Sequence, residues 1–153
     1  MQNQKINPEQ AYQTFLIIWF ALFVSQLLFL FLVFFIKPEL FVFDFTKPLL
    51  DEHELVGFLI ATSITVLLVS LAFKKKYLRQ SVQRQNVGLV QTAMIVGCAL
   101  SEAISLFGLL LAFAYDYQYF FLFSATGIAA TVLHFPRRRY VLEASTRSLK
   151  TSL

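Results

Sequence analysis

Charge is what this chain has least of. Only 14% of its 153 residues are Asp, Glu, Lys or Arg, while 58% are hydrophobic and 18 are Phe. Soluble domains carry about a quarter charged residues, so this composition places the chain in the membrane class. Cysteine is nearly absent. Cys98 alone cannot form an internal disulfide, and without Cys or His neighbours at ligand spacing it reads as a small buried hydrophobe in an apolar helix. The two histidines, His53 and His134, fall on opposite sides of the expected topology, so no shared metal or haem site is expected. Asp51-Glu52-His53-Glu54 reads as a solvated acidic turn and His134, beside Pro136, as an interfacial side chain. Missing too are a Ser-His-Asp set, a Cys-His pair, paired carboxylates within the apolar runs and a phosphate loop. Catalysis by this chain alone, a metal and a cofactor are therefore not expected. Without Gly-Ser linkers, low-complexity tracts or internal repeats, residues 1–153 read as one membrane domain.

What the chain has is long apolar runs. Crossing a bilayer takes about 20 apolar residues, and four stretches qualify, at about 14–36, 55–73, 92–115 and 119–135. Strands of that length would leave open edges in lipid, so the expected fold is all-α: a polytopic bundle of four transmembrane helices. Pro38, the Lys74-Lys75-Lys76 triplet, Asp116, and Pro136 with Arg137-Arg138-Arg139 supply the stops. Tyr115, Tyr117, Tyr119 and Phe120 gather at the third turnaround as an interfacial belt would. The first run is longer than a signal-peptide core and lacks a small-x-small exit, so it reads as a retained helix. Phe41, Phe43 and Phe45 alternate in the segment between helices 1 and 2, a spacing suited to an extended stretch on the membrane surface.

Basic residues sort to one side. Lys5, then Lys74, Lys75, Lys76, Arg79 and Arg84, then Arg137, Arg138, Arg139, Arg147 and Lys150 fall together. The opposite side holds Lys37 and Lys47 among Glu39, Asp44, Asp51, Glu52, Glu54 and Asp116. By the positive-inside rule both termini are cytoplasmic, with 136–153 a short basic tail. A bacterial inner membrane is the expected location. Each basic cluster abuts a helix end, so anionic lipid and topology account for Lys74, Lys75, Lys76, Arg137, Arg138 and Arg139, and no nucleic-acid partner is expected.

One residue breaks the apolar pattern. Glu102 is the sole acid or base in the run of about 24 residues from Thr92 to Tyr115. A carboxylate at bilayer depth costs roughly 2.5–3.5 kcal/mol on insertion scales, which makes it a functional-site candidate by default. With no Lys or Arg in any run, it is expected to hold its proton, because the neutral form is cheaper to desolvate. Ala93, Gly97, Ser101 and Ser105, four apart, form a narrow stripe beside it, and Gly108 and Gly127 extend the small-residue surfaces of helices 3 and 4. These two helices are expected to pack as a hairpin through the Asp116 turn. Ser101, Ser105 and Gln26, the one amide deep in helix 1, are the candidate supports for Glu102.

Gly97-Cys98-Ala99-Leu100-Ser101-Glu102-Ala103-Ile104-Ser105-Leu106-Phe107-Gly108-Leu109 resembles the ion-binding helix of subunit c, the proteolipid of rotary ATP synthases. Arg84-Gln85-Asn86 is similar to that family's polar cytoplasmic loop. The resemblance covers about residues 84–113 and implies that Glu102 matches the proton- or cation-binding carboxylate, with Gly97 and Ala99 in its packing environment. Three functions follow for test. The first is an accessory or structural subunit of a larger membrane complex, bound to other subunits or to its own copies. The second is a proton- or cation-translocating subunit with Glu102 as carrier. The third is a small transporter or channel.

Overall fold

The computed structural model describes residues 7–42, 44, 46, 48–49 and 54–145. Lys5, Phe43, Phe45, Lys47, Asp51, Glu52, His53, Arg147 and Lys150 lie outside the described residues. The elements are α1 (Pro8–Ile36), a 3-10 turn (Pro38–Phe41), α2 (Glu54–Arg84), α3 (Val87–Tyr115), α4 (Phe120–Leu133) and α5 (Arg138–Ser145). All the described regular structure is helical. α1, α2 and α3 are long and apolar enough to cross a membrane.

Local chemistry sets the helix ends. Asn7 caps α1, its side chain accepting from the Glu9 N–H at 3.1 Å, and Pro8 occupies the first turn, where a missing N–H costs nothing. α2 and α3 meet in a two-residue turn. Gln85 takes a left-handed φ of 49°, and the Asn86 side chain then accepts from the Gly88 N–H at 2.9 Å to start α3. The polar Arg84-Gln85-Asn86 sequence thus has a local task as a helix stop and restart. Asp116, also at φ 49°, ends α3, and the Tyr117 N–H reaches back to the Leu111 carbonyl at 3.2 Å.

α3 is the central column and touches every other helix. α1 runs parallel to it: Ala11 and Phe15 pack near Val90 and Met94 at one end, while Lys37 reaches Ala112 and Phe113 at the other. α2 and α4 run antiparallel. α5 lies across the first end, burying Val141 and Ala144 in the cluster of Ala11, Phe15, Val90, Met94 and Cys98. Arg138 of α5 pairs with Glu9 at 2.7 Å, so the first and last described helices sit at the same end of the bundle. Outward-facing side chains are strongly apolar: Ile17 and Phe35 on α1 are about 70% exposed, and Phe58 and Leu68 on α2 are exposed as well. A water-facing bundle would carry charge at such positions.

Several boundaries depart from the sequence expectation. α2 continues past Lys74 to Arg84 and α3 begins at Val87, because Lys, Arg and Gln are good helix formers once the backbone is already helical. α4 is only 14 residues, about 21 Å at 1.5 Å per residue, and falls short of the span expected at 119–135. At its start, Tyr117, Gln118 and Tyr119 form a buried turn; at its end, the His134 N–H closes on Ala130 and Thr131 before Pro136. Residues 138–145 of the expected tail form α5, whose amphipathic face is docked.

Small residues let α4 approach α3. A methyl at Gly127 would overlap Ser105 Oγ and stand 2.7 Å from the Ser101 carbonyl oxygen, whereas one at Gly57 would meet nothing within 4 Å. Gly127→Ala should therefore destabilise the bundle by about 1–3 kcal/mol, as overpacking does. Gly57→Ala should leave stability unchanged or slightly raised. Thermal unfolding in detergent, followed by Trp19 fluorescence, distinguishes the two.

Candidate functional site

Glu102 sits midway along α3, half-buried, on the side turned toward α1. Its hydrogen-bond partner is Ser25 of α1, whose Oγ lies 2.7 Å from Glu102 Oε1 and 2.8 Å from the Leu22 carbonyl oxygen. A serine hydroxyl has a single proton and can donate to one of these acceptors at a time. Among the described residues, Glu102 has no ion-pair partner. On its other flank α3 turns an uncovered stripe outward: Ile95, Ala99, Leu106 and Leu110 are exposed between the positions that meet α1 and those that meet α2. Glu102 stands on the rim of that stripe.

The three residues expected to support Glu102 are engaged elsewhere. Ser101 is fully buried and donates to the Gly97 carbonyl of its own helix at 2.9 Å. Ser105 donates to Gln26 Oε1 at 3.0 Å, and Gln26 Nε2 donates to Thr131 Oγ1 at 2.5 Å. Gln26, Ser105 and Thr131 are each 0% exposed, so this relay joins α1, α3 and α4 inside the bundle. Trp19 adds a bond from its indole N–H to the Thr131 carbonyl at 2.9 Å. Ser25 and Gln26, one residue apart, are about 100° apart on α1 and so serve different neighbours.

The small residues all meet other elements. Ala93 is buried, and Gly108 faces the Phe120 carbonyl and Phe123 Cβ, at 2.7 and 2.8 Å from where its own Cβ would stand. Gly97 leaves room for the ring of His134, which a methyl there would overlap. His134 is only 1% exposed, in contrast to the expected interfacial position. Its Nδ1 lies 2.7 Å from the Ala130 carbonyl oxygen, a contact that places a proton on Nδ1.

Of the basic residues, Lys74 turns inward to the Leu133 carbonyl at the end of α4. Lys75, Lys76, Arg137, Arg138 and Arg139 are exposed, Arg139 pairing with Glu143 at 3.1 Å. At the opposite end, Lys37 gathers Asp116 and the carbonyls of Ala112 and Phe113, both at 3.2 Å. This ammonium satisfies carbonyls left open at the end of α3, where the helix dipole favours a cation. In the sequence alone Lys37 stands out only as one charge on the acidic side. The signal for its role was there: an isolated lysine at the exit of helix 1, opposite an isolated aspartate at the third turnaround.

Among the described residues, no three His, Cys, Asp or Glu side chains converge as a metal site would require. Comparison with known protein families, characterised proteins and solved structures finds no match.

Because the relay is wholly buried, its parts are coupled. Thr131→Val removes the acceptor for the Gln26 amide N–H and should cost about 1–3 kcal/mol, the usual penalty for an orphaned buried polar group. Gln26→Leu should cost less in the Thr131→Val background than alone. Melting temperatures of the two single variants and the double variant, closed as a cycle, should give a coupling of about 0.5–3 kcal/mol.

Proposed function

We propose that this chain is a small integral membrane protein serving as an accessory or structural subunit of a larger membrane complex. In this reading Glu102 is a neutral hydrogen-bonding group at bilayer depth. The observation that carries it is the position of Glu102: bonded to Ser25, yet on the rim of the uncovered α3 stripe of Ile95, Ala99, Leu106 and Leu110. A neutral carboxyl donating to Ser25 Oγ, with Ser25 donating to Leu22, satisfies both short contacts. An ionised carboxylate leaves one of them without a proton. No polar chain among the described residues leads from Glu102 to either end of the bundle, and the Gln26 relay runs from Ser105 to Thr131 without reaching Glu102. Both facts favour a fastening role, with the open stripe as the surface for another polypeptide.

The membrane setting draws on the three long apolar helices and their exposed Phe, Ile and Leu side chains. In the arrangement proposed, α4 is the fourth, shorter membrane segment. The end bearing Lys75, Lys76, Arg79 and Arg137–Arg139 faces the cytoplasm of a bacterial inner membrane. Cys98 is 0% exposed, and replacing it with Ala leaves a background for single introduced cysteines. A cysteine at Lys75 or Arg139 should then be blocked by an impermeant maleimide only after the membrane is opened. One at Asp116 should be blocked in intact cells. The reverse pattern would invert the orientation.

The half-exposure of Glu102 and the likeness of 97–109 to the subunit c helix favour a second reading, a proton- or cation-translocating subunit. Glu102→Gln separates the two, since an amide keeps the size and the donor of a neutral acid but releases no proton. On the structural reading, the variant co-purifies with the same polypeptides in mild detergent and proton flux across membrane vesicles is unchanged. Intact assembly with flux abolished would establish the carrier reading instead.

A further inference from the structure

Where α2 leaves its apolar run, Lys74 turns toward α4 and donates to the Leu133 carbonyl at the end of that helix. It is partly buried. The strongest electrostatic influence on it comes from a second cation, Arg137, placed just past the buried Pro136. Neither has a carboxylate partner among the described residues. Other cations of the bundle are matched by acids: Arg138 pairs with Glu9, Arg139 with Glu143, and Lys37 at the far end with Asp116. Lys75, Lys76 and Arg79 are unpaired too, but they are exposed, so water screens them. Lys74 and Arg137 differ in being held together, one of them partly out of water.

The C-terminus of a helix offers a cation roughly half a unit of negative charge. Two cations at the end of α4 therefore leave a surplus of about 1.5 charges, which a single anion would largely neutralise. The surrounding surface says which anion. Leu71, three residues before Lys74 on the same side of α2, is exposed, and so are Leu133 and Phe135 at the end of α4. A ligand on Lys74 and Arg137 thus meets apolar side chains toward the middle of the bundle and basic turns beyond it. A phospholipid has that same order, charge at the headgroup and hydrocarbon beneath. A zwitterionic headgroup would bring a cation back to a place that already has too many. We propose that Lys74 and Arg137 together bind the phosphate of an anionic phospholipid whose headgroup carries no cation. The site rests on the membrane setting proposed above, but not on the role of Glu102 or on which face of the membrane the basic end occupies.

The full chain in nonionic detergent is titrated with phosphatidylglycerol, and the bound lipid is counted by native mass spectrometry. One phosphatidylglycerol should be retained about tenfold more tightly than phosphatidylcholine with the same acyl chains. Arg137→Gln should weaken that binding about tenfold, the worth of a hydrogen bond to a charged group. Lys75→Gln removes the same charge from an exposed position and should weaken it no more than about twofold. Lys74→Gln also takes a donor from the end of α4, so its melting temperature is measured alongside; Lys74→Arg keeps the charge and should retain most of the affinity. Equal losses for Arg137→Gln and Lys75→Gln would reduce the effect to diffuse surface attraction and overturn the proposal. So would equal retention of phosphatidylcholine, or displacement of the lipid by inorganic phosphate at the same concentration. Flotation with phosphatidylcholine vesicles through an alkaline wash checks the membrane setting by itself, so that its failure is distinguishable from a missing lipid preference.

Discussion

Everything in this bundle depends on how closely α4 can come to α3. Gly127 lies against Ser105 and the Ser101 carbonyl, and Gly97 leaves the space that the His134 ring fills. With those side chains absent, a helix of only 14 residues can deliver Thr131 to Gln26 and place Phe123 beside Ile104. In an apolar surrounding, burying hydrocarbon gives helices little reason to associate, so close packing and interhelical hydrogen bonds must supply it. Both are met at the same seam here. The small residues bring the backbones together, and the Gln26–Ser105–Thr131 relay then has donors and acceptors within reach.

The relay also explains the division of labour among the polar residues. Gln26 has more hydrogen-bonding capacity than any other uncharged residue of α1 in the apolar interior, and the fold uses both ends of its amide, one for α3 and one for α4. That leaves Glu102 with Ser25 alone, at a place where α3 is only half covered. A carboxyl in such a position is under-committed within the chain. This imbalance, more than the presence of an acid in an apolar helix, makes Glu102 the focus of the proposed function.

Much of this was legible in the sequence, and for identifiable reasons. The positions of α1, α2 and α3 follow from apolar runs too long to be anything but helices. The hairpin of α3 and α4 follows from small residues spaced four apart, because that spacing has one geometric meaning on a helix. The partner of Glu102 was not legible. Ser25 and Gln26 are adjacent, and choosing between them requires the rotation of α1 about its axis, which an almost uniformly apolar helix does not encode. His134 was misplaced for a related reason: a histidine next to a proline at a helix end resembles an interfacial residue unless Gly97 is known to face it. α5 was hidden because eight residues with two arginines read as a tail until the pocket for Val141 and Ala144 exists.

The unbroken length of α2 has a mechanical corollary. Its 31 residues amount to about 46 Å of helix, whereas the hydrocarbon layer of a membrane is about 30 Å thick. In the proposed setting, the surplus turns beyond Lys74 stand clear of the lipid as a rigid post, braced at its foot by α5 and by the start of α3. Lys75, Lys76 and Arg79 are mounted on that post at fixed heights and bearings. A soluble domain seated on them would be held at a set distance and angle from the lipid surface, as on a pedestal, and would follow any tilt of α2.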